Sequence, residues 1–124
     1  MPPLLDSVSP PTTLTVHRMS RQLRISFEEE TFLLPIEYLR VYSPSAEVKG
    51  HGPGQEVLQT GKRLVNIEAV NPVGLYAIQI VFSDGHDTGL FSWEYLYDLA
   101  SHHEVYWNRY LARIKEAGAS RDTH

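Results

Sequence analysis

A chain of 124 residues with 42% hydrophobic and 21% charged residues has the length and apolar content for one domain with its own core, and no room for a second. It contains no cysteine, which excludes disulfides, thiolate nucleophiles and cysteine-ligated zinc or iron–sulfur centres. A formal net charge of −4 argues against holding nucleic acid by phosphate neutralisation, and no apolar stretch approaches membrane-spanning length. With no basic-then-apolar leader at Met1-Pro2-Pro3-Leu4, a cytoplasmic protein without nucleic-acid or membrane partners is expected.

Residues 1–12 hold Pro2, Pro3, Pro10 and Pro11 and are expected to form a flexible arm, with the folded domain over 13–117 and a flexible tail over 118–124. Leu14 and Val16, then Leu23, Ile25 and Phe27, alternate with polar residues and predict two half-buried strands joined by a turn at Met19-Ser20-Arg21. Glu28-Glu29-Glu30 breaks the pattern, so Thr31–Leu34 reads as the return strand of a second hairpin. Pro35 suits the first helical position of a short segment with Ile36 and Leu39 facing inward.

From Ser43 to Arg63, prolines and glycines replace periodicity and predict a long loop. Leu64–Val70 and Tyr76–Phe82 read as strands with Asn71-Pro72-Val73-Gly74 as their turn. Ser83-Asp84-Gly85-His86 returns the chain through a further strand over Thr88–Phe91. Ser92 is an expected N-cap, with Trp93, Leu96, Tyr97 and Ala100 on one helix face. Ser101 and Glu104 have the spacing of a capping box and predict a second helix, with Trp107, Tyr110, Leu111 and Ile114 buried and Gly118 as its stop. At helical spacing these aromatic residues are read as core, and Trp93 and Trp107 as structural.

The two halves repeat one plan. Ile25-Ser26-Phe27 followed by a turn and Pro35-Ile36-Glu37-Tyr38-Leu39 parallels Ile80-Val81-Phe82 followed by a turn and Ser92-Trp93-Glu94-Tyr95-Leu96. The expected fold is therefore α+β, with antiparallel β-hairpins in a duplicated hairpin–helix unit packed with carboxy-terminal helices.

The segments Leu39-Arg40-Val41-Tyr42-Ser43-Pro44, Gly50-His51-Gly52, and Asp84-Gly85-His86-Asp87-Thr88-Gly89-Leu90-Phe91-Ser92-Trp93 resemble bacterial stand-alone members of the gamma-butyrobetaine hydroxylase-like N-terminal domain family. The resemblance implies a compact domain that accompanies 2-oxoglutarate dioxygenases or P-loop carriers of the iron–sulfur assembly type. It also implies a zinc site of cysteines after the Leu-Arg helix plus a histidine in the second hairpin. His86 stands at that histidine's position, but Ser43, Ser45 and Glu47 occupy the cysteine segment, and neutral hydroxyls are poor zinc ligands. A rebuilt metal site, for zinc or iron, would have to recruit His51, Asp84 or Asp87.

No phosphate loop, dinucleotide fingerprint or His-Glu-x-x-His pair is present. Gly50-His51-Gly52-Pro53-Gly54 beside Lys49, Lys62 and Arg63 reads as a flexible connection rather than an anion nest. Neighbouring positions on a helix face apart, so His102-His103 is no preformed chelate. Two readings follow. The first is a non-catalytic accessory or interaction module with a protein partner of the iron–sulfur or metal-enzyme kind; the second is a small metal-binding protein or metal-dependent enzyme using His86. In either, the expected binding surface gathers Arg40, His51, Asp84 and His86 where the long loop meets the second hairpin turn.

Overall fold

The computed structural model describes residues 9–50 and 56–122. Strands β1 (Thr13–His17), β2 (Gln22–Phe27) and β3 (Glu30–Pro35) form one antiparallel meander; β4 (Ile67–Val73), β5 (Ala77–Phe82) and β6 (Leu90–Ser92) form another. Each leads into a helix, α1 (Ile36–Val41) from the first and α3 (Trp93–Ser101) from the second. A short helix α2 (Ala46–Lys49) follows α1, and α4 (His103–Glu116) ends the regular structure.

Side-chain alternation sets the inward faces. Leu23, Ile25 and Phe27 of β2 and Ile78, Ile80 and Phe82 of β5 are buried in one cluster with Leu39 of α1 and Leu96 and Leu99 of α3. Burying such side chains stabilises the fold by about 1.5–3 kcal/mol each. Both sheets turn their apolar face to this core, and Arg18 ties them beside it through Nε to the Ile67 carbonyl, 2.9 Å, and Nη2 to the Glu68 carbonyl, 3.1 Å.

The duplication extends to individual hydrogen bonds. Ile36 N, opening α1, donates to the Arg21 carbonyl just before β2, and Trp93 N, opening α3, donates to the Tyr76 carbonyl just before β5, both at 3.0 Å. Tyr38 and Tyr95 are each third in their helix. Tyr38 Oη donates to the Leu99 carbonyl of α3, 2.7 Å, and Tyr95 Oη to the Tyr42 carbonyl after α1, 2.7 Å. Leu99 lies four residues beyond Tyr95 (99 − 95 = 4) and Tyr42 four beyond Tyr38 (42 − 38 = 4), so the two bonds are reciprocal.

Several boundaries differ from the sequence expectation. Pro35 is extended, φ −61° and ψ 141°, and ends β3 instead of opening α1, because its fixed φ serves either backbone. The second meander starts at Ile67, and Asn71-Pro72-Val73 lies within β4 opposite Ala77–Gln79. Pro72 is tolerated because β4 is an edge strand, and the turn falls to Gly74-Leu75-Tyr76, with Gly74 at φ 57°. The long connection contains α2, a single helical turn that makes little apolar periodicity. Ser92 caps α3 as expected, accepting from Tyr95 N at 3.1 Å. The break before α4 is also present, but no side chain caps it, so the Ser101–Glu104 capping box does not form.

Trp93 and Trp107 are only half-buried. Trp93 Nε1 donates to the Leu75 carbonyl at 2.8 Å, and Trp107 packs on Tyr38 and Tyr110 with the Arg121 guanidinium 5.0 Å from its ring centre. Most of the expected amino-terminal arm lies outside the described residues; Thr12 N donates to the Ser26 carbonyl and lengthens the β1–β2 ladder. At the other end, residues 119–122, placed in a tail by the sequence, are fastened to the body. Ser120 and Arg121 carbonyls accept from Gly61 N and Arg63 N, both 3.0 Å, and Arg121 forms a two-pronged pair with buried Glu37 at 2.7 and 2.8 Å.

Candidate functional site

Helix α1 ends with Arg40 buried in its last turn, and the chain then turns through Ser43, Pro44 and Ser45 into α2, both serines being buried. From the opposite side comes the β5–β6 connection. Its turn is closed by Phe82 N donating to the His86 carbonyl, 2.9 Å, and Gly85 N to the Phe82 carbonyl, 3.0 Å; Gly85 takes φ 89°, a left-handed value that suits glycine. The Asp84 carboxylate folds back to accept from His86 N at 3.3 Å.

These two segments meet. Asp84 Oδ2 accepts from Arg40 Nε at 2.9 Å and Lys62 Nζ at 2.7 Å. His86 Nε2 stands 2.9 Å from Ser43 Oγ and 3.2 Å from Ser45 Oγ, while Nδ1 lies 3.5 Å from Glu47 Oε1, which also accepts from Thr88 Oγ1. Gly89 passes directly beneath Ser43: a Cβ there would stand 2.2 Å from Ser43 Oγ. Arg40 Nη1 is buried without a hydrogen-bond partner among the described residues.

Electrostatics follow from this packing. Burial by itself would raise the Asp84 carboxyl, but the Lys62 and Arg40 hydrogen bonds and charges outweigh it and hold the group below its ordinary value. Burial, and then the Arg40 charge, push His86 below its ordinary value against the opposing pull of Glu47 and Asp84. The ring is therefore neutral near pH 7, able to donate from one nitrogen and accept at the other.

Hydroxyl, imidazole and carboxylate in series could suggest an activated serine nucleophile. Burial argues otherwise: Ser43 is 1% and Ser45 4% exposed, the His86 side chain 7%, and Gly89 packs closely against Ser43 Oγ. Nor do these residues fit zinc. Two neutral hydroxyls face the ring nitrogen where a structural site needs anionic donors, and no cluster of three or more His, Asp or Glu side chains suited to a metal ion occurs among the described residues.

Of the sequence candidates, Arg40, Asp84 and His86 come together; His51 lies outside the described residues. Asp87 stays outside the tie, its carbonyl accepting from Gln79 Nε2 at 2.9 Å. His102 and His103 diverge as expected, the first toward Asp98 and Tyr106, the second onto the Tyr38 ring. Gly89 was not singled out by sequence reasoning, because its importance is the nearness of a residue far away in the chain.

Fold and site together define a small α+β domain of two hairpin–helix units clasped by a polar tie. The gamma-butyrobetaine hydroxylase-like, N-terminal family matches residues 14–97, and the chain belongs to that family. A protein solved by solution NMR is 46% identical, with a TM-score of 0.83 over 94% of this chain and 92% of its own. Another NMR structure is 56% identical, with a TM-score of 0.81 over 98% and 90%. A crystal structure of a protein of unknown function from Acidithiobacillus ferrooxidans, assigned to the DUF971 family, is 38% identical, with a TM-score of 0.61 over 73% and 91%. No curated protein matches the sequence. No helix among the described residues is long and apolar enough to cross a membrane.

Proposed function

We propose that this domain is a non-catalytic interaction module that presents the β5–β6 turn to a protein partner, with iron–sulfur or metal-enzyme proteins as the class implied by the family resemblance. The observation that carries this reading is the inward commitment of the polar cluster. Asp84 is engaged by Arg40, Lys62 and His86 N, and His86 by Ser43, Ser45 and Glu47, with both serines buried. Groups so committed hold a loop in shape, and a loop already held in shape gives up less entropy on binding. Exposed Gly85, Asp87 and Thr88 form the outward side of that turn.

The test compares partner capture from native extract by the parent and by Asp87→Arg, a surface change outside the tie, with thermal melts confirming that both fold. Selective loss of one reproducible partner supports the proposal; identical capture by the two proteins removes the turn as the docking surface. Elemental analysis of protein prepared without a metal-affinity tag addresses the metal reading. One equivalent of zinc or iron that disappears in His86→Ala would replace the module reading with a metal-binding one.

A further inference from the structure

A cleft of about 620 Å³ opens where the end of α1, helix α2, α3 and α4 converge. Its floor is apolar: Val41 and Val48 are buried, Val57 is half-exposed at the rim, and the Tyr95 ring forms a wall. The tyrosine hydroxyls do not face a ligand, since Tyr95 Oη is committed to the Tyr42 carbonyl and Tyr42 Oη to the Tyr106 carbonyl, 2.8 Å. What they leave to the cleft is ring surface.

Charge enters from two sides. Lys49, the last residue of α2, holds Nζ 5.1 Å from the Tyr95 ring centre, and Arg113 reaches in from the last turn of α4. Neither forms a hydrogen bond or ion pair with another described residue; the Arg113 charge instead falls on the Tyr42 and Tyr110 hydroxyls. Glu56 also lines the rim and is itself engaged in an interaction. An apolar cavity of this size with a few converging polar groups is the usual form of a small-molecule site, and two cations that pair with no carboxylate among the described residues favour an anion.

We propose that this cleft binds a small amphipathic monocarboxylate, its apolar or aromatic body on Val41, Val48 and Tyr95 and its carboxylate between Lys49 and Arg113. The proposal goes beyond the interaction-module reading and does not depend on it, since its residues lie apart from the Asp84–His86 tie except for Ser43 at their common edge.

Two-dimensional NMR titration of the full chain with phenylacetate, with indoleacetate and with their neutral primary amides tests the idea. The acids should shift the backbone amides of Val48, Gly50 and Val57. Each neutral amide should bind about tenfold more weakly, as should the acids to Lys49→Gln or Arg113→Gln, since each change removes one charge-assisted contact. Val57→Trp, which fills the cleft from an exposed rim position, should abolish the shifts while leaving the rest of the spectrum in place. Absence of shifts with either acid at millimolar concentration, equal binding of acids and amides, or shifts centred elsewhere would overturn the proposal.

Discussion

Gly89 and Ser43 occupy one crowded point, and neither has an easy alternative. A methyl group on Gly89 would collide with Ser43 Oγ and press on Pro44 Cδ, 3.3 Å away. Gly89→Ala should therefore cost about 1–3 kcal/mol in urea unfolding, the usual range for overpacking a buried site. The clash is specific, so the double variant with Ser43→Ala should recover about 1 kcal/mol relative to additivity, and strict additivity would show that the two residues do not oppose one another. His86 beside them makes stability depend on pH. Its folded pKa lies below the ordinary 6.5, so its contribution is complete above that value and is lost as pH falls below 6.5 toward the folded pKa. Asp84 acts in a lower window: its folded pKa is below 3.8, so its share is present above 3.8 and lost on further acidification. Unfolding measured at pH 8 and near pH 5.5 should show a loss in the parent that is smaller in His86→Gln; equal losses would mean that His86 is not the sensor.

At the scale of elements, α1 joins distant parts of the chain: its six residues are all buried, with Tyr38 reaching α3, Arg40 the second hairpin and Glu37 the segment after α4. The Glu37–Arg121 pair fastens residues 119–122 across the molecule, and Arg121 also covers Trp107. Removing Arg121 would leave the Glu37 carboxylate buried without its partner. Arg121→Ala should then cost about 2–3 kcal/mol, less than a fully enclosed pair would lose because Arg121 is partly exposed to water. Truncation after Gly118 should have a similar effect, and Glu37→Gln should offset part of the loss in Arg121→Ala. A melting temperature unchanged by truncation would show that the strap adds nothing to stability.

For the molecule as a whole, two meanders and their helices close one apolar cluster, and the polar tie is closed by hydrogen bonds and ion pairs among its own side chains. Thermal unfolding should therefore be the same with and without a strong chelator, because stabilisation comes from apolar burial rather than from ligand bonds formed on folding. A fall of several degrees on chelation would contradict this. Both loops of the tie spring from core-anchored elements, α1 through Leu39 and β5 through Ile80 and Phe82. Core substitutions should thus loosen the site along with the fold.

The sequence by itself determined the two meanders and the helix after each, because period-two alternation, turn residues and the Ser92 cap are local signals, whereas it placed the break before α4 by a capping box that does not form. Through the family resemblance it also brought Arg40, His51, Asp84 and His86 forward as one expected surface, of which His51 lies outside the described residues. What tertiary structure decided lies in contacts between distant residues. Pro72 belongs to a strand because that strand is an edge; residues 119–122 are fastened because Glu37 is buried near them; Gly89 must be small because Ser43 is above it. The same holds for the cleft, where Lys49 and Arg113 from separate helices meet the Tyr95 ring of a third. None of these has a signature within a short window, since each depends on which residue the fold places opposite.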